Sequence, residues 1–306
     1  MPFILDAEQL QKHAYQKSRN IVYSLDDADL ETRCPLDNER HATQSRQSVG
    51  QLDELPLELV TEILLMLDLP TLTAFRRVNS RAISLVDSIY QYRMIRKHCP
   101  NILRAIISIN AQSFNCRALY RTLSTTKCAT CDRFGGYLYL ITCKRVCYCC
   151  FKSNLNYFPV TSRYATQQTG LKRKELKRLP HISSLPGRYS ISGRLVRNRT
   201  LLFDRQSIVV KSLRQGPVHT PPVERPQLLD RTTTEPRRYM SIISAPHFTA
   251  SGQSAEWGYF CKRCINNLDP ATHFRIKYTK VGILEHLKRH GVELSMYPNS
   301  PVRANQ

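Results

Sequence analysis

The sequence has no long uninterrupted hydrophobic run. Its longest aliphatic stretch covers residues 63–67, whereas a membrane-spanning helix needs about 18 apolar residues. The N-terminus also lacks the basic-then-apolar order of a secretory signal, because Asp6 and Glu8 follow directly on an apolar opening. We therefore expect no membrane span and an intracellular location, in the cytoplasm, the nucleus or both.

Several catalytic signatures are missing as well. The chain has no Gly-rich phosphate loop, no deaminase-type His-x-Glu with its cysteine pair, and no zinc-protease helix. Acidic residues are scarce, since 24 Asp and Glu stand against 45 Lys and Arg and give a formal net charge of +21. These absences favour a non-catalytic protein, and the charge is compatible with an acidic protein partner and, as a less favoured alternative, with a nucleic acid.

The chain of 306 residues is long enough for about two domains. Hydrophobic residues make up 42% of it, which supplies a core and argues against a wholly disordered polycation. We predict a mixed α+β fold, helical in its N-terminal part and followed by a small β-containing, zinc-stabilised region. The predicted segments are a flexible arm at 1–50, a leucine-rich helical module at 51–95, a helical extension at 96–127, a first cysteine-rich module at 128–158, a basic, proline-rich linker or irregular region at 159–250, and a second Cys/His module with a tail at 251–306.

Local patterns place the regular elements of these segments. Apolar residues recur at helical spacing from about residue 52 to residue 123. The turn signal Gly135-Gly136 precedes a β-prone run at 137–141, which predicts a short hairpin flanked by cysteine pairs. Near the C-terminus, a second helical spacing predicts a helix that ends close to Gly291.

Residues 160–240 carry most of the excess positive charge, with 17 Lys or Arg against 5 Asp or Glu. Eight of the 17 prolines fall between 180 and 246, which excludes helix or central strand over much of this stretch. Short strands at 201–203 and 207–210 remain compatible with the pattern. The run at 172–178 holds five basic residues and is typical of a nuclear address, a nucleic-acid patch or a solvated linker.

The most informative segment is the leucine-rich helix predicted within residues 55–67. Pro56 suits a first helical turn, and the apolar side chains cover about half of the helix circumference, more than a single packing face requires. Burying one exposed Leu or Ile is worth about 1.5–3 kcal/mol, so this pattern predicts a partner that covers the excess. A second short helix carrying Leu72 and a third capped near Asn79 follow. The alternative is an ordinary amphipathic helix in a helical core.

This order of residues strongly resembles the F-box over about residues 52–90. The resemblance implies binding to the Skp-family adaptor of cullin–RING ubiquitin ligases, and through it to cullin, while an unknown target protein is recruited for ubiquitin-dependent degradation. One departure is Ala82, which stands where many F-boxes have Trp. The resemblance implies that the adaptor surface and the core of the module share the residues Pro56, Leu59, Ile63, Leu64, Leu67, Leu72 and Val78.

Cysteines are concentrated rather than spread, with six of the 11 between residues 128 and 150. In a reducing compartment such clustering indicates metal binding rather than disulfides. Cys128-x2-Cys131, fifteen residues, and Cys147-x2-Cys150 form the spacing of a structural zinc site with two knuckles. Four thiolates close the tetrahedron and leave no position for a catalytic water.

Cys143 and Cys149 leave alternatives open at this first site. Either of them could replace a neighbouring ligand, although only the preferred set has the knuckle spacing on both sides. Six cysteines could also hold more than one metal ion. A redox-active Cys-x2-Cys pair is a further alternative, but the thioredoxin-like βαβ pattern that usually surrounds such a pair is missing.

A second cluster combines Cys261-x2-Cys264 with His286-x3-His290. The two histidines are four residues apart on a predicted helix and share one face. We therefore predict a second structural zinc site, so that the expected cofactor is zinc at two sites. The spacing between the pairs exceeds the roughly 12 residues of DNA-reading zinc fingers. His273 is an alternative ligand, and unligated thiols beside surface histidines are the simpler alternative.

Beyond the F-box pattern, the chain is similar to a group of fungal F-box proteins. The similarity rests on the run at 134–147 and on the C-terminal Cys-x2-Cys with its histidine-bearing helix, and it covers most of residues 52–292. It implies a cysteine-rich, substrate-side region without naming a substrate. We therefore predict a non-catalytic, substrate-recruiting F-box subunit of an SCF-type ubiquitin ligase. The alternative function is a zinc-containing nucleic-acid-binding regulator whose leucine-rich helices are core.

Overall fold

The computed structural model describes residues 7–16, 23–36, 48–189, 195–214, 236–249, 254–269 and 272–290. The chain divides into two compact units, one formed by Met1–Arg19 with Gly258–Gln306 and the other by Asn20–Trp257. Helices dominate the first part of the larger unit and small antiparallel sheets follow, so the predicted mixed α+β fold is confirmed. Within the described ranges, none of the helices combines the length and the apolar character that crossing a bilayer requires.

The helices and strands are short and are numbered in chain order. The α-helices are α1 (Ala7–His13), α2 (Leu30–Arg33), α3 (Leu57–Met66), α4 (Leu69–Arg76), α5 (Ser80–Ser88), α6 (Tyr90–His98), α7 (Pro100–Ser108), α8 (Cys116–Leu123), α9 (Tyr148–Ser153), α10 (Ser162–Thr169), α11 (Arg173–Leu176), α12 (Arg205–Arg214), α13 (Pro236–Tyr239) and α14 (Lys280–Arg289). The strands are β1 (Ala14–Tyr15), β2 (Tyr137–Tyr139), β3 (Lys144–Val146), β4 (Val160–Thr161), β5 (His181–Ser183), β6 (Leu201–Phe203), β7 (Ile242–Ser244), β8 (His247–Phe248), β9 (Ala255–Glu256) and β10 (Phe260–Cys261).

Side-chain caps define the starts of helices α4 and α5. Asp68 precedes α4 and accepts a hydrogen bond from the Thr71 amide at 2.9 Å. Asn79 precedes α5 and accepts one from the Ala82 amide at 2.8 Å, which confirms the cap predicted there. Pro56 occupies the cap position of α3 itself, one residue before the first helical turn in which the sequence placed it.

The Asp87 carboxylate on α5 joins three of these helices. Arg76 on α4 donates two hydrogen bonds to the carboxylate of Asp87 on α5, at 2.7 and 2.8 Å. Arg96 on α6 donates to the same carboxylate at 3.0 Å. Because Arg76 is only 3% exposed, the bidentate pair fixes the relative positions of α4 and α5 and leaves no charge buried without a partner.

A three-stranded antiparallel sheet with the order β3-β2-β7 follows the helical module. The predicted hairpin is its first half, in which Tyr137 pairs with Val146 and Tyr139 with Lys144. The second half comes from β7, a strand in the segment that the sequence assigned to a basic linker or irregular region. All three residues of β2 are buried, so this strand lies at the centre of the main core.

The described residues between 160 and 214 also fold, around a second sheet with the order β4-β6-β5. Strand β6 coincides with the strand predicted at 201–203. The prediction of a possible strand at 207–210 was wrong, because these residues belong to helix α12. Asp204 explains the difference, since its carboxylate accepts a hydrogen bond from the Ser207 amide at 2.8 Å and thereby caps a helix.

The described parts of the first fifty residues are ordered elements, whereas the sequence predicted a flexible arm. In the larger unit, Leu25, Leu30 and Leu36 are buried in the main core. In the smaller unit, β1 pairs with β10. Apolar residues are too sparse here to show a period, and a local pattern cannot reveal the contacts with other segments that bury Leu25, Leu30 and Leu36. Residues 37–47 lie outside the described residues.

Candidate functional site

Helix α3 exposes a continuous apolar face. Leu59, Ile63 and Met66 follow one another at spacings of four and three residues, which places them on one side of the helix. They are 52%, 41% and 77% exposed. Leaving three such side chains in water is unfavourable unless a partner covers them.

The opposite face of α3 holds the helix to the rest of the module. Val60, Leu64 and Leu65 are buried in the main core. An ion pair between Arg117 on α8 and Glu62, at 2.5 Å, links the two helices at the surface. The exposed face is therefore presented on a helix whose other side is already packed.

The structure divides the seven predicted adaptor-binding residues between surface and core. Leu64 and Leu72 are fully buried, so we assign them to the core of the module instead of the adaptor surface. Leu67 is half-buried. Exposed positions are Pro56, Leu59, Ile63 and Val78, and they remain available to a partner.

Two further exposed side chains were missing from the predicted set. Leu57 and Met66 are among the most exposed apolar residues of the module. Both fell within the apolar arc of the helical pattern, so the signal was present in the sequence. The pattern alone could not show on which side of the arc the core lies.

The first cysteine cluster forms a compact four-sulfur group. The Sγ atoms of Cys128, Cys131, Cys147 and Cys150 all lie within 4.8 Å of one another. Cys131 Sγ lies 3.6 Å from Cys147 Sγ and 3.4 Å from Cys150 Sγ. Sulfur ligands at about 2.3 Å from a tetrahedral zinc ion are about 3.8 Å apart, whereas a disulfide bond is about 2.05 Å long. The arrangement therefore fits one metal ion and not cross-links.

Backbone hydrogen bonds build the two knuckles of this group. The Thr130 amide donates to Cys128 Sγ at 3.5 Å, and the Cys150 amide donates to Cys147 Sγ at 3.4 Å. Cys147 stands at the N-terminus of α9, directly after β3. The Ala129 amide donates to the carbonyl of Arg145 at 2.8 Å, which ties the first knuckle to the same strand. The hairpin thus brings the two cysteine pairs together.

Hydrogen bonds between the sulfur atoms shift the pKa values of the cysteines in this group. The hydrogen bond from the Cys147 thiol lowers the pKa of Cys128 to about 4, and the same bond raises the pKa of Cys147 far above its ordinary value. Burial raises the pKa of Cys150 to about 12. Without a cation, the buried group therefore retains protons, and a bound metal ion would displace them.

Cys143 and Cys149 lie outside the four-sulfur group. Cys143 is in the turn between β2 and β3, has a φ angle of 53°, and contacts the Thr122 hydroxyl with its thiol at 3.7 Å. Burial raises its pKa to about 12. Cys149 Sγ accepts a hydrogen bond from the Arg133 guanidinium at 3.7 Å. All eleven cysteines are within the described residues, and none of them forms a disulfide.

The second cluster brings together three of its four predicted ligands. The ligand atoms of Cys261, Cys264 and His286 lie within 4.8 Å of one another, and all three residues are buried. Cys264 Sγ is 3.3 Å from His286 Nε2. The ring of Tyr278 stacks on the His286 ring with the centroids 4.5 Å apart, which fixes the imidazole. These donors are two thiols and an imidazole, a set suited to zinc.

His290 lies at the edge of this cluster and is not part of it. Its ring centroid is 4.5 Å from that of His286, but the residue is exposed and ends helix α14. His273, the alternative ligand, stacks on Phe274 and accepts a hydrogen bond from the Arg275 amide at 3.1 Å. Among the described residues, no fourth Cys, His, Asp or Glu completes the cluster.

The N-terminal segment packs against the second cluster. The sequence analysis predicted the cluster but not this contact. Leu10 and Ala14 share a small core with both cysteines and with the apolar face of α14. Ala14 pairs with Cys261 between β1 and β10, and Lys262 donates its amide to the carbonyl of His13 at 2.9 Å. No feature of the first twenty residues identified this contact.

A small helical module that exposes an apolar helix face, followed by two clusters able to hold metal ions, defines a protein-binding protein with candidate structural metal centres. Residues 52–94 match the family model of the F-box domain, so the predicted F-box is confirmed. This domain supports a role as an F-box adaptor of SCF-type ubiquitin ligases. The match covers the helical module alone, and the similarity of the remaining chain to fungal F-box proteins stays a prediction. Comparison with curated proteins and with solved structures found no match.

Proposed function

We propose that this chain is the substrate-recruiting subunit of a cullin–RING ubiquitin ligase. The exposed face of α3, formed by Leu59, Ile63 and Met66 within the F-box, carries the proposal. The face binds the Skp-family adaptor, which links the chain to cullin. The regions beyond the F-box hold a target protein near the ubiquitin donor, so the chain contributes effective concentration instead of catalytic groups.

Co-purification with the Skp-family adaptor tests this function. We expect Leu59→Asp combined with Ile63→Asp to weaken adaptor binding by about a hundredfold or more, because each buried side chain is worth about 1.5–3 kcal/mol. The matched control is Leu195→Asp combined with Val281→Asp, two exposed apolar residues outside the F-box. The control should retain the adaptor. Equal binding by wild type and the α3 variant would refute the proposed function.

We also propose that both cysteine clusters hold structural zinc. Cys128, Cys131, Cys147 and Cys150 supply four ligands in the first site, and their sulfur–sulfur distances support this assignment. Cys261, Cys264 and His286 supply three ligands in the second. His290 becomes the fourth ligand by turning its ring toward the group from the adjacent end of α14. Zinc would hold the knuckles in place and supply folding energy.

Metal analysis of the purified chain tests the two sites separately. Cys150→Ser should reduce the zinc content by one ion per chain, whereas Cys149→Ser, one residue away and outside the four-sulfur group, should leave it unchanged. His290→Ala should weaken zinc retention at the second site only. Zinc contents that do not differ between the Cys149 and Cys150 variants would contradict the ligand assignment.

The alternative function, a nucleic-acid-binding regulator, is favoured by one observation. Lys172, Arg173, Lys174, Lys177 and Arg178 are all exposed, so the basic run is accessible to phosphates. Binding to phosphates would fall steeply with salt concentration. Salt-sensitive retention of DNA or RNA without adaptor binding would support this alternative against the ligase function.

A further inference from the structure

A groove of about 450 Å³ opens on the surface of the Asn20–Trp257 unit, outside the F-box. Its walls come from the turn after β2, the chain just before β5, and helix α12. Leu179, Pro180 and Val210 supply its apolar lining, and Lys144 and Lys211 supply its positive charges. The lining thus combines apolar side chains with two cations and one carboxylate.

The single acidic residue in the lining forms an ion pair with neither lysine, and two cations against one carboxylate leave the lining with a net positive charge. The Asp204 carboxylate is buried and accepts hydrogen bonds from the Ser207 amide at 2.8 Å, the Ser207 hydroxyl at 2.7 Å and the Tyr139 hydroxyl at 3.3 Å. Lys144 Nζ donates to the neutral amide oxygen of Gln206 at 2.9 Å. Neither Lys144 nor Lys211 has an acidic partner within the part of the chain that the structure describes.

The surroundings of the groove extend both properties. Arg178, at the end of the exposed basic run, directly precedes Leu179 in the chain. On α12, Val209 and Leu213 are exposed beside Val210. Helical spacing places Val210 and Leu213 on one side of the helix. A ligand in the groove would therefore meet both apolar side chains and positive charges.

We propose that this groove docks an acidic peptide segment of the target protein, with one apolar side chain against Leu179 and Val210 and carboxylates toward Lys144 and Lys211. The identification of the bound segment as part of a target protein rests on the proposed function, whereas its acidic and apolar character follows from the residues that line the groove. Charge complementarity steers such a segment to the groove, and burial of its apolar side chain retains it. The groove and the F-box belong to one compact unit, so a docked segment is carried by the same body as the adaptor-binding face.

Fluorescence anisotropy on the full chain, at physiological salt, tests the groove. The probe is a short labelled peptide with one leucine flanked on both sides by glutamates. We expect Lys144→Glu combined with Lys211→Glu to weaken its binding about tenfold or more. Replacing the peptide's leucine with serine should weaken binding to the wild-type chain about tenfold, because it removes the buried apolar group.

A matched variant separates the groove from the net charge of the chain. Lys97→Glu combined with Lys280→Glu changes the charge by the same amount at exposed positions that do not line the groove, and it should bind the peptide as wild type does. Equal losses in both double variants would overturn the proposal in favour of unspecific attraction. Binding of a labelled single-stranded RNA in the groove, with no binding of the peptide, would overturn it as well.

Adaptor co-purification from the same preparations keeps the two proposals apart. If the Lys144 and Lys211 variant loses the peptide and keeps the adaptor, the groove is supported independently of the F-box. If the wild-type chain binds the peptide but not the adaptor, the ligase function fails and the groove stands. If it binds the adaptor and gives the same anisotropy with the serine peptide as with the leucine peptide, the groove proposal fails alone.

Discussion

A single buried arginine organises the junction between the helical module and the sheet. Arg145 on β3 donates hydrogen bonds to the carbonyls of Thr122 at 3.1 Å and Gly135 at 2.5 Å, and to the carbonyl of Pro246. Thr122 lies in the last turn of α8, where helix carbonyls attract a cation. Burial lowers the pKa of Arg145 to about 10, so the side chain remains charged at neutral pH. Carbonyl dipoles therefore replace a carboxylate partner.

Gly135 is required by this arginine. A Cβ atom at position 135 would clash with Cγ of Arg145. We expect Gly135→Ala to lower the free energy of unfolding by about 1–3 kcal/mol, because the arginine must shift away from its acceptors. Urea denaturation measures the change. Gly187→Ala is the control, since its Cβ would meet the Tyr189 ring at an ordinary 3.4 Å, and an equal loss in that variant would contradict the explanation.

His247 makes the stability of the larger unit depend on pH. Burial lowers its pKa below the ordinary value, and Glu256 opposes this effect only in part. Folding therefore favours the neutral ring, and its contribution is present above the ordinary histidine pKa and lost as the pH falls below it. We expect the urea midpoint to fall between about pH 7 and about pH 5, and His247→Phe to reduce that fall. Glu256→Gln should steepen it, and an unchanged slope in both variants would contradict the assignment.

At the scale of elements, side-chain caps stabilise two of the short F-box helices, α4 and α5. Helix α5 has nine residues, and Asn79 satisfies one of its free amides. We expect Asn79→Ala to lower the free energy of unfolding by about 1 kcal/mol. Thermal denaturation measures this loss. Asn101→Ala, at an exposed asparagine inside α7, should change stability less. A loss in Asn79→Ala that does not exceed the loss in Asn101→Ala would contradict the role of the cap.

Elements were predictable from sequence where the determinant was local. The cap at Asn79, the strand at 201–203 and the hairpin after Gly136 all depend on neighbouring residues. Strand β7 was not predictable, because its pairing with β2 joins segments about a hundred residues apart in the chain. At 207–210, the β-branched residues led to the incorrect prediction of a strand, because the capping signal of Asp204 was not considered.

At the candidate sites, too, the sequence predicted what depends on local spacing and not what depends on packing against other segments. Cysteine spacing predicted which four sulfurs meet at the first cluster, because each knuckle is a local turn. The seven adaptor residues could not be separated into surface and core, since helical periodicity gives an arc of side chains without showing what packs on it. His290 lies on the predicted helix face, yet the last turn of α14 leaves it exposed.

At the scale of the whole molecule, the two units differ in the size of the apolar core that stabilises them. The larger unit has an extended apolar core that runs through the helical module and the β3-β2-β7 sheet. The smaller unit has a core of a few side chains, in which Cys261 and Cys264 pack with Leu10 and the apolar face of α14. Small cores of this kind rarely hold without metal or cross-links. Metal binding at the second cluster, as proposed above, should therefore determine whether the smaller unit folds.

Removing this site tests that dependence. We expect Cys261→Ser combined with Cys264→Ser to leave α1 and β1 without a stable partner, because loss of the proposed metal would also remove the framework that pairs Ala14 with residue 261. Trypsin should then cut at Lys12 about tenfold faster or more, since cleavage follows the open population. Adaptor binding should be unchanged, because the F-box belongs to the larger unit. Protection of Lys12 in the double variant would show that the small apolar core folds unaided, whereas loss of adaptor binding would show that the two units depend on each other.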